Sequence, residues 1–130
     1  MPSLTIVTNN SVVRDNFDQD DFAVEFVDGT PVDVLARVVV LLQEHKRLVS
    51  APLPPNVPMM RAPFRSILIT ENGERYDIPG IEAVENARKT MVRQRGISTP
   101  EAYETASLDF AEMDRTYLER GIRDYGLIGG

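Results

Sequence analysis

The sequence predicts an α/β protein, a three-layer sandwich on a mostly parallel four-stranded sheet. Short apolar, β-branched runs alternate with helical patterns through the first 50 residues. The second helical segment is apolar almost all the way round, as expected for a helix buried on several sides. The length of 130 residues and the 42% hydrophobic content suit one domain over residues 1–130.

The first half of the chain is predicted to be β-α-β-α-β. Thr30, Pro31 and Asp33 form a strong helix start, with a capping residue, a proline at the first position and an early acid. The elements are a strand over residues 4–8, a short helix after Asn9 and Asn10, a strand over 22–27, a helix over about 30–44 and a strand over 47–50.

The second half begins with a loop over residues 51–63 that holds five of the nine prolines and therefore cannot be a helix or a central strand. A fourth strand over 65–70, a turn at Asn72-Gly73 and two helices follow. The first of these helices starts at Pro79 and ends before Gly96, and the second starts at Thr99. Gly121 is expected to end or kink the last helix, whose predicted apolar stripe is Ala106, Phe110, Met113 and Tyr117.

Right-handed crossovers then give the strand order 2-1-3-4, a Rossmann-like or flavodoxin-like arrangement. In such sheets ligands bind beyond the carboxyl ends of the strands where the order reverses, here between the first and third strands. The candidate ligand-binding residues at that crevice are Thr8, Asn9, Asn10, Ser50 and Pro52. The alternative for Asn9 and Asn10 is local: one caps the helix and the other forms the turn.

Few side chains are available for catalysis. The chain has no cysteine, which excludes thiol catalysis and cysteine-bound metals, and no glycine-rich phosphate or dinucleotide motif, so we expect no cofactor. His45, the only histidine, is a candidate general base, and its alternative is a cap at the helix end. Asp109 and Glu112 share a helix face, but with Asp114 they fit a solvated, ion-paired surface better than a metal site, so no metal is expected.

The charge and hydropathy of the chain restrict its partners and location. The net charge of −6 would repel nucleic acid, so no nucleic-acid partner is expected. No apolar stretch reaches 18 residues, and residues 1–7 show no basic region followed by an apolar run. We therefore expect no membrane partner, no signal peptide and a cytoplasmic location.

Several segments, in this order, resemble the GrdX family over about residues 4–118. They are Ile6-Val7-Thr8-Asn9-Asn10, Val34-Leu35, Leu48-Val49-Ser50-Ala51-Pro52-Leu53, residues 62–69, residues 81–87 and Asp109-Phe110…Asp114. The resemblance implies a small protein of unassigned biochemical role, associated with glycine, sarcosine and betaine reductase systems of amino-acid-fermenting anaerobes. The family prefers Thr-His-Pro-Leu where this chain has Ser50-Ala51-Pro52-Leu53, so a histidine at that edge is replaced by Ala51.

Three functions follow as hypotheses. The first is a non-enzymatic accessory or ligand-binding protein whose partner is a reductase-complex protein or a small polar metabolite. The second is a small-molecule enzyme that uses the crevice at the ends of the first and third strands. The third is a homodimer held by the proline-rich loop and the last helix.

Overall fold

The computed structural model describes residues 4–17, 22–53, 62–95 and 107–128. These ranges contain four strands and four helices. In chain order they are β1 (Leu4–Thr8), α1 (Ser11–Asn16), β2 (Phe22–Phe26), α2 (Pro31–Leu42), β3 (Lys46–Leu48), β4 (Ser66–Glu71), α3 (Ile78–Arg95) and α4 (Ser107–Ile128). Within them, no helix is long and apolar enough to cross a membrane.

The sheet is mixed, with the order β2-β1-β4-β3. β1 pairs in parallel with β2, whereas β4 lies antiparallel to both β1 and β3. The predicted mostly parallel sheet of order 2-1-3-4 is therefore wrong, and with it the Rossmann-like or flavodoxin-like arrangement. The reason lies in the sequence between β3 and β4, whose prolines do not allow the crossover helix that joins parallel strands, and in β4 itself, whose first five residues are buried as in a central strand.

Helices cover both faces of this sheet, so the α/β class is confirmed. α2 and α3 pack on the face that presents Val7, Ile67 and Ile69. α1 and α4 cover the opposite face, where Ile6 and Leu68 meet Val13 of α1 and Leu118 of α4. The alternation of neighbouring β4 residues between two cores explains why Ile67, Leu68 and Ile69 are all apolar.

Two helix starts are confirmed. Thr30 caps α2 in a capping box with Asp33, and Pro31 is the first helical residue. Asn10 caps α1, with its side chain accepting from the Val12 amide. The start predicted at Thr99 for the last helix and most of the proline-rich loop (residues 54–61) lie outside the described residues.

The last helix differs from its prediction in two respects. It continues through Gly121 to Ile128 without a break. Its buried positions are Ala111, Asp114 and Leu118, and Met113 is 39% exposed. The predicted apolar stripe therefore lies on a different side of the helix from the buried residues. A search for apolar residues alone could not find the buried side, because one of its fully buried residues is an acid, Asp114.

Candidate functional site

The antiparallel direction of β4 changes the site predicted between the first and third strands, because β4 itself lies there. The start of β4 meets the end of β1, where Thr8 is paired with Ser66. Their hydroxyl groups share a hydrogen bond of 2.7 Å. The start of β4, Ser66, therefore lies at the same edge of the sheet as the end of β1.

Both the nitrogen and the oxygen of the Asn9 side-chain amide form hydrogen bonds within the protein. Its amide nitrogen donates to the carbonyl oxygens of Gly29 at 2.9 Å and Pro63 at 2.8 Å. Its amide oxygen accepts from the Arg65 backbone N–H at 2.9 Å. Asn9 thus joins three loops at this edge of the sheet.

Asn10 is completely buried, and both ends of its side-chain amide also form hydrogen bonds within the protein. Its oxygen caps α1, while its nitrogen donates to the Ala111 carbonyl at 2.8 Å and to Asp114 Oδ2 at 3.1 Å. The same residue therefore fixes the start of α1 and ties it to the middle of α4.

Asp114 is the centre of a buried polar network that we define as Thr8, Asn10, Arg65, Ser66 and Asp114. Its carboxylate accepts from the Ser66 N–H at 3.0 Å and the Ser66 hydroxyl at 2.6 Å. Since the Ser66 proton goes to Asp114, Thr8 donates to Ser66, and Thr8 in turn accepts from the Asn10 N–H at 3.0 Å. This head-to-tail chain of donors polarises every bond in it towards the carboxylate.

Burial raises the pKa of Asp114 above its ordinary range, and the hydrogen bonds from Ser66 and Asn10 and the charge of Arg65 offset part of that rise. The Arg65 side chain is only 6% exposed, with Nη1 3.9 Å from Asp114 Oδ1. Burial lowers the pKa of Arg65, and the charge of Asp114 opposes this, so arginine with its very high intrinsic pKa stays protonated.

Arg65 also fixes the beginning of the proline-rich loop. Its Nε donates to the Pro52 carbonyl at 3.2 Å and its Nη2 to the Ala51 carbonyl at 2.5 Å. A planar guanidinium suits this task because it can donate in several fixed directions at once. Pro52 therefore contacts Arg65 of the buried polar network through its backbone carbonyl.

Ser50 extends the pairing of β3 with β4 beyond Leu48. Its hydroxyl accepts from the Leu68 N–H at 2.9 Å, and its own N–H donates to the Leu68 carbonyl at 3.2 Å. α4 approaches Ser50 at Gly121, where an added Cβ would lie 3.7 Å from the Ser50 Cβ. This is ordinary van der Waals contact, so the glycine keeps open a space that a longer side chain would enter.

That space is a cleft of about 560 Å³ between α4 and the segment after β3. Ser50, Arg65 and Ser66 contribute to it from the sheet side. The α4 wall consists of Tyr117, Leu118, Arg120, Gly121, Asp124 and Tyr125, and Arg47, Leu48, Val49, Ala51 and Leu53 complete the lining. Its volume falls within the range of small-molecule sites.

His45 lies elsewhere. Its carbonyl accepts from the Asn72 N–H, and Asn72 is six residues along the chain from Ser66, which corresponds to roughly 20 Å at the rise of a strand. The residue has a φ of 67° and its ring packs edge-on against Tyr76 at 4.5 Å. The His45 side chain is not among the residues that line the cleft, although Arg47, two residues further along the chain, is.

The acids on α4 divide into two groups. Glu112 lies 3.8 Å from Arg115 on the helix surface. Asp114, expected on that solvated surface, is instead buried in the network. In the part of the chain that the structure describes, no three histidine, cysteine, aspartate or glutamate side chains group as a metal site requires.

Sequence reasoning missed Arg65, Ser66 and Asp114. One signal was available for Arg65, since a charged residue at the start of a strand with the apolar core Ile67–Ile69 needs a buried partner. Nothing local identifies that partner, because Asp114 lies 48 residues after Ser66 and 104 after Asn10.

Comparison with known proteins gives one match. A family model described as GrdX-like protein matches residues 5–123. No curated protein and no solved structure matches the chain. The matched range contains the whole buried polar network, and Asp124 and Tyr125 of the cleft lie just beyond its end.

Proposed function

The chain belongs to the GrdX-like protein family, and we propose that it is a non-enzymatic accessory protein that binds a small polar metabolite in the cleft between Ser50 and α4. The observation that carries this proposal is a cleft that combines a rigid floor with charges that have no ion-pair partner among the described residues. Arg65 and Ser66 at the floor are already held by Asp114 and by backbone carbonyls. Arg47, Arg120 and Asp124 line the same cleft with exposed side chains.

A floor that is already hydrogen-bonded, with exposed charged side chains around it, favours the binding of a ligand. A floor whose hydrogen bonds are satisfied before a ligand arrives loses little conformational entropy on binding. The exposed charges around it give orientation to a polar ligand. The cleft thus has the two components of a preformed small-molecule site.

A second candidate function is an enzyme that uses Ser66 as nucleophile and Asp114 as base. One observation favours it, the 2.6 Å hydrogen bond from the Ser66 hydroxyl to Asp114 in a residue that lines the cleft. However, Ser66 is almost fully buried, and Asp114 also accepts from Asn10 and the Ser66 backbone. Both groups are held in structural bonds, so we favour binding over catalysis.

The metabolic setting we propose is amino-acid fermentation of the glycine, sarcosine or betaine reductase type, which the family resemblance supports. A chain without cysteine does not itself carry out the thiol or selenol steps of such chemistry. Its place would be beside the reductase, holding a substrate or a reductase protein. Sedimentation of this chain mixed with purified reductase components tests the setting: co-sedimentation supports it, and independent sedimentation of all components contradicts it.

Two glycines of α4 provide the test of the binding site. Gly121 faces Ser50 across the cleft, whereas a side chain at Gly126 would meet open space. Gly121→Leu fills the cleft, and Gly126→Leu is its matched control, since both replace a helical glycine by a good helix former. The ligands are glycine, sarcosine, betaine, acetate and inorganic phosphate, each titrated by calorimetry.

We expect at least one of these ligands to bind the natural chain and the Gly126→Leu variant equally. Its affinity for Gly121→Leu should fall by at least about tenfold, the effect of 1.4 kcal/mol. Binding that survives Gly121→Leu would place the site elsewhere. Failure of all five ligands to bind the natural chain would remove the metabolite proposal.

A further inference from the structure

The charged residues on the α4 wall of the cleft differ from the ion-paired group of Glu112, Arg115 and Glu119 on the same helix. Arg115, one turn earlier, engages Glu112 at 3.8 Å and Glu119 at 2.9 Å. Arg120 and Asp124 make no ion pair with each other or with any other residue in the described ranges. Two opposite charges therefore stand unpaired in one cleft.

Arg120 and Asp124 are four residues apart on the same helix, which is also the spacing of the Arg115–Glu119 pair, yet they form no ion pair with each other. Gly121 lies between them in the sequence and adds no side chain to fill the space. Each charge is left available to a ligand.

Aromatic rings lie beside these charges. The Arg120 guanidinium is 5.8 Å from the centre of the Tyr117 ring, so a cation already rests near one aromatic face of this wall. Tyr125 follows Asp124 directly and lines the same cleft. A carboxylate next to a tyrosine ring is a favourable setting for an ammonium group, including a methylated one.

The cationic side of the cleft has two available arginines. Arg47 is exposed and has no ion-pair partner in the described part of the chain. Arg65 differs, because its charge already faces Asp114 and two carbonyls. A ligand carboxylate would therefore be bound by Arg47 and Arg120 rather than by Arg65.

We infer that the ligand of this cleft is a small zwitterion, with its carboxylate at Arg47 and Arg120 and its ammonium group between Asp124 and Tyr125. This inference rests on the proposed function, since it specifies the ligand of the same site. At roughly 30 Å³ per water molecule, the cleft has room for an amino-acid-sized ligand together with several waters.

The test uses two pairs of ligands matched in shape. Glycine is compared with propionate, which lacks both the charge and the N–H donors of the ammonium group, and betaine with 3,3-dimethylbutanoate, which lacks the positive charge alone. Calorimetric titration of the full chain should give about tenfold tighter binding of the zwitterion in at least one pair, as expected for an ammonium held by a carboxylate and a ring. Asp124→Asn should abolish that preference and leave binding of the anion unchanged.

Arg123→Gln is the control, since Arg123 is exposed on the same helix and does not line the cleft. It should leave all affinities within about twofold, the effect of a surface change of under 0.5 kcal/mol. If both anions bind as tightly as their zwitterions, the inference is overturned and the proposed function stands. If none of the four compounds binds, the inference falls, and if the five ligands of the first experiment also fail, the proposed function falls with it.

Discussion

Asp114 of α4 and Ser66 of β4, which lie 48 residues apart in the sequence, are joined by two hydrogen bonds, one from the Ser66 hydroxyl and one from its backbone N–H. Through this pair the last helix is fixed to the first residue of a central strand. The same contact sets the position of the α4 wall relative to the cleft floor. The stability of the fold and the shape of the cleft therefore depend on the same residues.

Removal of the Asp114 carboxylate should strongly destabilise the protein. Asp114→Ala leaves the Asn10 amide and the Ser66 N–H without their acceptor and the buried Arg65 without its counter-charge. We expect the free energy of unfolding in urea to fall by about 3–5 kcal/mol, the cost of breaking one side of a buried ion pair. Glu112→Gln, an exposed change on the same helix, should cost less than about 0.5 kcal/mol. Equal effects of the two variants would contradict the central place of Asp114.

The pKa of Asp114 gives a prediction about pH. Burial raises it above the ordinary value of about 4, so the folded protein binds this proton more tightly than the unfolded chain. The stabilisation that comes from this tighter proton binding at Asp114 is then complete below pH 4, and it is lost as the pH rises through the raised pKa. Compared with Asp114→Asn, the natural chain should lose stability over that window, by at most about 1.4 kcal/mol per pH unit. Urea titrations between pH 3 and 8 measure this difference, and a relative gain with rising pH would show a lowered pKa instead.

One substitution can separate the two roles of Asn10, which are to cap α1 and to donate hydrogen bonds to α4. Asn10→Asp keeps a good cap for α1 but replaces the donor to Ala111 and Asp114 by a second carboxylate. We expect a loss of more than about 2 kcal/mol in unfolding free energy, because a buried acceptor loses its donor and faces a like charge. Asn16→Asp is the control, since Asn16 is exposed and donates only to the Val12 carbonyl. A cost at Asn10 no larger than at Asn16 would mean that capping is its main contribution.

His45 should have no part in ligand binding. It does not line the cleft, and its φ of 67° is a conformation that glycine adopts without strain. His45→Gly should relieve that strain while losing the ring contact with Tyr76, with little net change in stability. Affinity for the ligands of the cleft should change by less than about twofold. A larger loss of affinity would connect this end of the sheet to the site.

The parts of the fold that the sequence predicts correctly depend on local chemistry. The Thr30–Asp33 capping box and the Asn10 cap are defined by residues within three positions of each other. The strand order was wrong because it depends on pairing between distant segments. β3 has only three residues, and a right-handed crossover cannot be assumed for a connection whose prolines do not allow a helix.

The same reason limits the prediction of the site. Thr8, Ser50 and Pro52 lie near one edge of the sheet because they follow the ends of strands, but of these three only Ser50 lines the cleft, and their role in ligand binding stays a prediction. Asp114 was assigned to a solvated face because an isolated acid on a helix is ordinarily exposed. Its partners come from β4 and from the start of α1, and only the folded chain brings them together.

Binding of a small polar metabolite in the cleft between Ser50 and α4 can be located residue by residue by amide chemical-shift mapping. The ¹⁵N-labelled chain is titrated with whichever of glycine, sarcosine, betaine, acetate and inorganic phosphate binds most tightly, and these five compounds form the metabolite series. The proposal predicts saturable shifts at Ser50, Gly121 and Tyr125, with Gly73 in the distant turn after β4 unchanged. Saturable shifts centred on other residues, or no saturable shift with any compound of the series, would contradict it.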